Sequence, residues 1–258
     1  MLPISVVLST TDHAWAAGFF DAEGSVLVRD RGAPPRRELA VSQAGKNETP
    51  QVLERFRIAL DGRGTIRGPR RGYLYYWRIS AASDVDDVGC LLAPWLSEPK
   101  LSQLLAAAAS AGRPHRNDRP RLTPEQLSRH ERAWAAGFFG GDGTVSATTT
   151  RSLPDIRYLR AGIVQAGSNG MPEVLTRFRS AVGDRGAIRG PFMPKNPWSR
   201  QVQYAWHSGG ADNVEKILGL LWPWLDDAKR AQARRAIFAA RRTRHRRTAP
   251  LDPIFEQT

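Results

Sequence analysis

The chain has 258 residues, 41% of them hydrophobic and eight of them tryptophan, enough apolar mass for one large or two smaller packed cores and too much for a disordered chain. A net charge of +13 points to a polyanionic partner, with nucleic acid the first choice. The single cysteine, Cys90, excludes an internal disulfide and a cysteine-based zinc site; no run is long enough to span a bilayer, and residues 1–10 lack the basic start and cleavage site of a secretory signal, so the expected location is intracellular: cytoplasmic, or nucleoid-associated in a bacterium.

A first helix is expected from Ser9, which with Asp12 has the spacing of a capping box. It runs through Trp15-Ala-Ala-Gly-Phe-Phe-Asp-Ala-Glu-Gly24, a small-residue helix that stops at a glycine with a carboxylate one position before the stop. Val26 and Val28, then Leu39 and Val41, alternate as two strands with one buried face, which turns Leu27, Arg29 and Arg31 outward. Leu53 to Leu60 reads as a helix ending at a glycine-containing turn. Ile66, Tyr75, Trp77 and Ile79 suggest a second strand pair, and Asp84 to Ala111 supplies the closing helices. Arg113 to Arg121 is charged, punctuated by proline, and reads as a linker.

The sequence then starts again. Ser128 and Glu131 repeat the capping spacing, and Trp134-Ala-Ala-Gly-Phe-Phe-Gly-Gly-Asp-Gly143 repeats the small-residue block. Val41-Ser-Gln-Ala-Gly45 is echoed by Ile163-Val-Gln-Ala-Gly167, and Val52-Leu-Glu-Arg-Phe-Arg57 by Val174-Leu-Thr-Arg-Phe-Arg179. Gly62 to Pro69 is echoed by Asp184 to Pro191, and Pro94-Trp-Leu96 by Pro223-Trp-Leu225. The offset grows from 119 to 122 to 129 residues, so the second copy carries longer loops, the largest expected at Met193 to Ser199. Leu175 to Val182 and Asp212 to Arg242 supply its remaining helices. The division that follows is 1–112 for one half, 113–126 for the linker and 127–258 for the other half with a basic tail. The fold class is α+β: two αββαββα halves related by a pseudo-twofold within a monomer.

Ala17, Gly18, Ala136 and Gly137 have almost no side chain, and a glycine inside a helix costs about 1 kcal/mol relative to alanine. Close backbone approach of two helices explains their use twice. Glu23 and Asp142 each sit at a helix C-terminus, where the dipole disfavours negative charge. A hard divalent cation relieves that, and oxygen ligands plus water suit Mg²⁺. Asp21 has Gly140 as its counterpart, so symmetry argues against a shared metal role, and Asp21 is expected to fix a helix end. Only 5 of the 38 basic residues are lysine, yet Lys100 and Lys229 match, each five residues after a tryptophan. A compact ammonium polarises water or neutralises a phosphate as a point charge. Gln43 and Gln165 also match, each at a strand end, where they either orient water or contact DNA.

Together these residues resemble the LAGLIDADG homing endonucleases in their single-chain, two-motif form. The nine-residue motif aligns with Ala16 to Gly24 and Ala135 to Gly143, with alanine in place of its first leucine, phenylalanine in place of its aliphatics and Gly140 in place of its sixth-position acid. The resemblance spans residues 9 to 240. It implies a saddle of two antiparallel sheets over a central two-helix interface, the sheets lying in the DNA major groove. It also implies a Mg²⁺-dependent double-strand break in a long asymmetric target with short 3′ overhangs, Mn²⁺ or Ca²⁺ being alternative occupants. Metal binding then falls to Glu23 and Asp142 with Ala22 and Gly141, and catalysis to Glu23, Asp142, Lys100, Lys229, Gln43 and Gln165. Leu27, Arg29, Arg31, Arg36, Glu38 and Arg67 become candidate DNA contacts in the first half; Ser146, Thr148, Thr150, Tyr158, Arg160 and Arg189 are those in the second. The basic stretch Arg234 to Arg247 is expected at phosphates. Three other readings share the scaffold: a maturase acting on its host intron RNA, a non-cleaving DNA-binding regulator, and an intein fragment. Retention of both acids argues against the regulator, and the absence of a cysteine at position 1 against the intein.

Overall fold

The computed structural model describes residues 9–29, 35–45, 48–112, 120–150, 153–167, 170–193 and 201–244. Arg31, most of the linker, the expected insertion after Met193 and the tail after Arg244 lie outside the described residues. The elements run α1 (Thr10–Glu23), β1 (Gly24–Arg29), β2 (Arg36–Ala44), α2 (Gln51–Ala59), β3 (Thr65–Arg70), β4 (Leu74–Ile79), α3 (Ala82–Leu92) and α4 (Glu98–Ser110). After the linker come α5 (Pro124–Asp142), β5 (Gly143–Thr150), β6 (Leu153–Ala166), α6 (Glu173–Ala181), β7 (Ala187–Phe192), β8 (Gln203–Gly209), α7 (Ala211–Leu221), a 3₁₀ turn (Trp222–Trp224) and α8 (Asp227–Arg244). Each copy builds one four-stranded antiparallel sheet, ordered β1-β2-β4-β3 and β5-β6-β8-β7. This is the α+β architecture expected. The closing segment of each copy is two helices rather than one, broken around Pro94-Trp95 and Pro223-Trp224. Among the described residues no helix is long and apolar enough to cross a membrane.

The chain divides into two compact units, residues 1–141 and 142–258, so that α5 up to Gly141 groups with the first. Inside each unit the same core recurs. Phe56 meets Trp77 edge-on at 5.0 Å, and Phe178 meets Trp206 likewise at 4.7 Å. The buried indoles each donate to a turn carbonyl, Trp77 Nε1 to Arg63 O at 2.8 Å and Trp206 Nε1 to Arg185 O at 2.9 Å. Those turns pass through Gly64 and Gly186 at φ 82° and 80°, where a side chain would be both strained and driven into the tryptophan.

Two local expectations differ from the structure. The Ser9–Asp12 capping box is present, but its expected twin at Ser128 lies inside α5. The helix starts four residues earlier, where Thr123 and Gln126 exchange the reciprocal bonds of a capping box around Pro124 at the first helical position. Val28 does lie on the same sheet face as Val26, yet it is 40% exposed. Its cross-strand neighbour Arg37 occupies the buried space instead, 5% exposed and ion-paired to Asp86 of α3.

Candidate functional site

The first unit brings α1 and α5 into direct backbone contact. A Cβ on Gly18 would overlap the carbonyl oxygen of Trp134 and lie 2.8 Å from its carbon; one on Gly137 would overlap the oxygen of Trp15 and lie 2.9 Å from its carbon. Alanine, tryptophan and phenylalanine surround both glycines, and Ala14 to Ala17, Phe19, Phe20, Ala133 to Ala136, Phe138 and Phe139 are fully buried. Helices that are apolar all round need burial on every side; this pairing covers one, and Phe56 of α2 packs on Phe19 and Phe20 from another. Trp15 stacks on Phe19 and Trp134 on Phe138, at 5.6 and 5.2 Å.

That contact sets the ends of the two helices beside each other. A Cβ on Gly141 would lie 2.6 Å from Ala22 Cβ, 2.9 Å from Glu23 Cγ and 3.5 Å from Glu23 Oε1. Ala22, Glu23 and Gly141 are therefore neighbours, each half-buried. Lys100, in the first turn of α4, donates from Nζ to Gly24 O at 2.7 Å, and its ammonium lies 5.7 Å from the centre of the Phe20 ring. The second unit repeats the bond: Lys229 in α8 donates to Gly143 O at 2.6 Å. Each lysine is thus held at the residue that follows its helix-end acid. Gln165 Nε2 donates to Asp142 Oδ2. Gln43 has the equivalent register position, opposite Tyr75 as Gln165 is opposite Tyr204. Both glutamines share a face with the buried tryptophans, the helix side of their sheets.

The lysines are positioned differently. Asp21 accepts from the Ser97 backbone N–H at 2.9 Å, from Ser97 Oγ at 2.7 Å and from Trp134 Nε1 at 2.8 Å, so it anchors the start of α4, three residues before Lys100, to the helix pair. Asp21 fixes a helix end as expected, but that of another helix. In the second copy Gly140 has no side chain to offer, and Asp226 at the matching place accepts from the Lys229 backbone N–H at 2.8 Å. Trp15, the counterpart of Trp134, is fully buried, and its Nε1 finds no hydrogen-bond partner among the described residues.

The opposite face of each sheet carries the candidate DNA contacts. In the first unit Leu27, Arg29, Arg36, Glu38 and Arg67 alternate with core residues and point away from the helices. In the second, Ser146, Thr148, Tyr158, Arg160 and Arg189 do the same, and Thr150 pairs with Leu153 past an irregularity in the β5–β6 register. Tyr76, Arg78, Gln203 and His207 share these faces and were missed. The alternation of Tyr75, Trp77 and Ile79 carries the signal for the first two.

Among the described residues no cluster of three or more His, Cys, Asp or Glu could hold a metal. Each helix end instead offers one carboxylate beside main-chain carbonyls, Glu23 after Ala22 on α1 and Asp142 after Gly141 on α5. That set fits a small hard cation, because Mg²⁺ keeps several waters and takes one or two carboxylates plus phosphate oxygens of the substrate.

A duplicated αββαββαα chain, with a glycine-to-carbonyl helix pair and a lysine at each acid-bearing helix end, has the LAGLIDADG homing-endonuclease fold. Solved structures with that fold match nearly end to end. The homing endonuclease I-GzeII in complex with its DNA target aligns over 92% of this chain and 93% of its own, at 14% identity and a TM-score of 0.59. I-AabMI bound to uncleaved DNA aligns over 91% and 92%, at 12% identity and a TM-score of 0.64. I-SmaMI bound to an uncleaved target in the presence of calcium ions aligns over 90% and 92%, at 16% and 0.55. No family model and no curated protein matches the sequence.

Proposed function

We propose that this protein is a site-specific DNA endonuclease that makes a divalent-metal-dependent double-strand break, one strand per half. The functional halves are the repeats 1–112 and 127–258, joined through 113–126. The observation that carries the reading is the doubled constellation of Glu23 with Lys100 on Gly24 O and Asp142 with Lys229 on Gly143 O. An isolated acid at a helix C-terminus is unfavourable; two, each followed by a lysine-bound carbonyl, suit a cation and a phosphate. Solved structures with this fold include a homing endonuclease in complex with its DNA target and a meganuclease bound to uncleaved DNA, which supports the same substrate here.

In this mechanism the outer sheet faces hold the duplex, with base edges and phosphates against their arginines and hydroxyls. Glu23 and Asp142, with the main-chain oxygens of Ala22 and Gly141, would hold Mg²⁺. The chemistry the cation supplies is a lowered water pKa and an offset to charge on the leaving oxygen. Gln165 holds Asp142 in one orientation through its amide. Lys100 and Lys229, fixed by their carbonyl bonds, place a positive charge where the phosphate must sit.

The test is a cleavage selection from a randomised duplex library with Mg²⁺, run beside the Glu23→Gln/Asp142→Asn double variant. A recovered site of roughly twenty base pairs, the scale of two sheet faces each spanning about one helical turn, cut only by the unaltered protein, is the expected result. Equal cutting by the double variant would refute the metal assignment. Selective retention of a structured RNA by both proteins, with no cleavage, would favour the maturase reading.

A further inference from the structure

The two sheet faces can be compared position by position, because the strand registers of the two units match throughout. Val41 lies between Gly24 and Trp77 as Ile163 lies between Gly143 and Trp206, and Ile66 opposes Trp77 as Ile188 opposes Trp206. On the core side most matched residues keep their character, the exceptions being Arg37 against Leu159 and Ile79 against Ser208. On the outer side they do not. Arg29, Arg36, Arg70 and Arg78 stand where the second unit has Thr148, Tyr158, Phe192 and His207. Leu27, Ser42 and Tyr76 stand where it has Ser146, Val164 and Ala205. Arg67 and Arg189 alone keep an arginine at matched positions, opposite Tyr76 and Ala205.

Among the described residues the first face therefore carries five arginines, of which Arg29 has a weak counter-ion in Glu38 at 3.9 Å. The second, among the described residues, has arginine only at Arg160 and Arg189, which with His207 line a recess of about 310 Å³. The rest of that face offers hydroxyls and small or apolar groups: Thr144, Ser146, Thr148, Ala205, and the exposed Val164 and Phe192, 53% and 46% accessible. In the major groove an arginine fork matches the O6 and N7 acceptors of guanine, whereas threonine, alanine and phenylalanine meet the thymine methyl and a glutamine such as Gln203 matches adenine.

Resting on the DNA-reading function proposed above, we infer that the two faces read unlike half-sites. The half against residues 24–79 is guanine-rich, and the half against residues 143–209 is rich in A·T pairs. Arg67 and Arg189 read one guanine at the equivalent position of each. Loss of the arginine weakens binding to that guanine about tenfold to a hundredfold against the other bases.

The experiment is the recovered consensus of the unaltered protein, followed by base-by-base binding of Arg67→Ala and Arg189→Ala, both exposed positions away from the acids and lysines. The expected result is one guanine-rich and one A·T-rich half, with Arg67→Ala relaxing a single guanine in the first and Arg189→Ala its equivalent in the second. Equal guanine content in the halves overturns the inference while leaving site-specific recognition standing. So does uniform weakening on every sequence by both variants, which is the behaviour of phosphate contacts. Binding with no consensus at all would sink both this inference and the site-specific function it rests on.

Discussion

Gly18→Ala adds one methyl group at the α1–α5 contact, and the structure sets its consequence. The new carbon would overlap the Trp134 carbonyl oxygen and sit 2.8 Å from its carbon and 3.0 Å from Phe138 N. Carbon atoms pack at about 3.5–4.0 Å, so the helices must part by roughly 1 Å. Backbone atoms cannot rotate aside as a side-chain tip can. A radial gap of that size forfeits a quarter to a half of each dispersion contact across the interface, and the interface is made of fully buried Ala, Trp and Phe. Overpacking costs about 1–3 kcal/mol, and this case sits at the upper end. Alanine returns about 1 kcal/mol of helix propensity. The net loss is about 2 kcal/mol, which lowers Tm by about 4–8 °C in a chain of this size. Gly137→Ala should match it, since its Cβ meets Trp15 in the same way. Gly219→Ala in α7 is the control: nothing lies within 4 Å of its Cβ, and it should gain about 0.5–1 kcal/mol. Thermal and urea unfolding of the three variants measures this. A Gly18→Ala protein as stable as the unaltered chain would refute the backbone-contact argument.

Trp134→Phe removes a donor from Asp21, whereas Trp15→Phe removes an indole N–H that has no hydrogen-bond partner among the described residues; urea unfolding should find the first about 1–3 kcal/mol more costly. Burial pushes His13 below its ordinary pKa, with Asp61 and Asp12 opposing the shift. The unfolded chain therefore takes up a proton near pH 6.5 that the folded chain takes up only at lower pH, so stability falls as pH drops through about 6.5. His13→Gln should flatten the difference in urea midpoint between about pH 7.5 and 5.5. Lys100→Met and Lys229→Met should each slow cutting of one strand in a nicking assay while leaving DNA affinity nearly unchanged; an equal loss of both would make these lysines ordinary phosphate contacts.

Much of the site was legible because its signals are local. A glycine stop, the acid before it and a lysine in a chain that otherwise uses arginine are each visible within ten residues, and their repetition marks them as a pair of sites. The Ser9 cap and the strand alternation were legible for the same reason: capping and pleat are short-range properties. The start of α5 is set by Thr123-Pro-Glu-Gln126, a capping signal with no counterpart ahead of Ser9, whereas the repeat symmetry alone points to Ser128.

By itself the sequence determined the duplicated α+β halves, the small-residue helices and the acid, lysine and glutamine that end in matching places. Tertiary structure alone decided that Asp21 anchors α4 through Ser97 and ties it to Trp134, that the Trp15 indole N–H has no hydrogen-bond partner among the described residues, and that Arg37 rather than Val28 fills the edge of the first core. It also decided which residues share an outer face, since Arg78 and His207 join those faces only through the pairing of β4 with β2 and of β8 with β6. Periodicity reports the face of one element; which distant element meets that face depends on register and packing, and no local pattern encodes either.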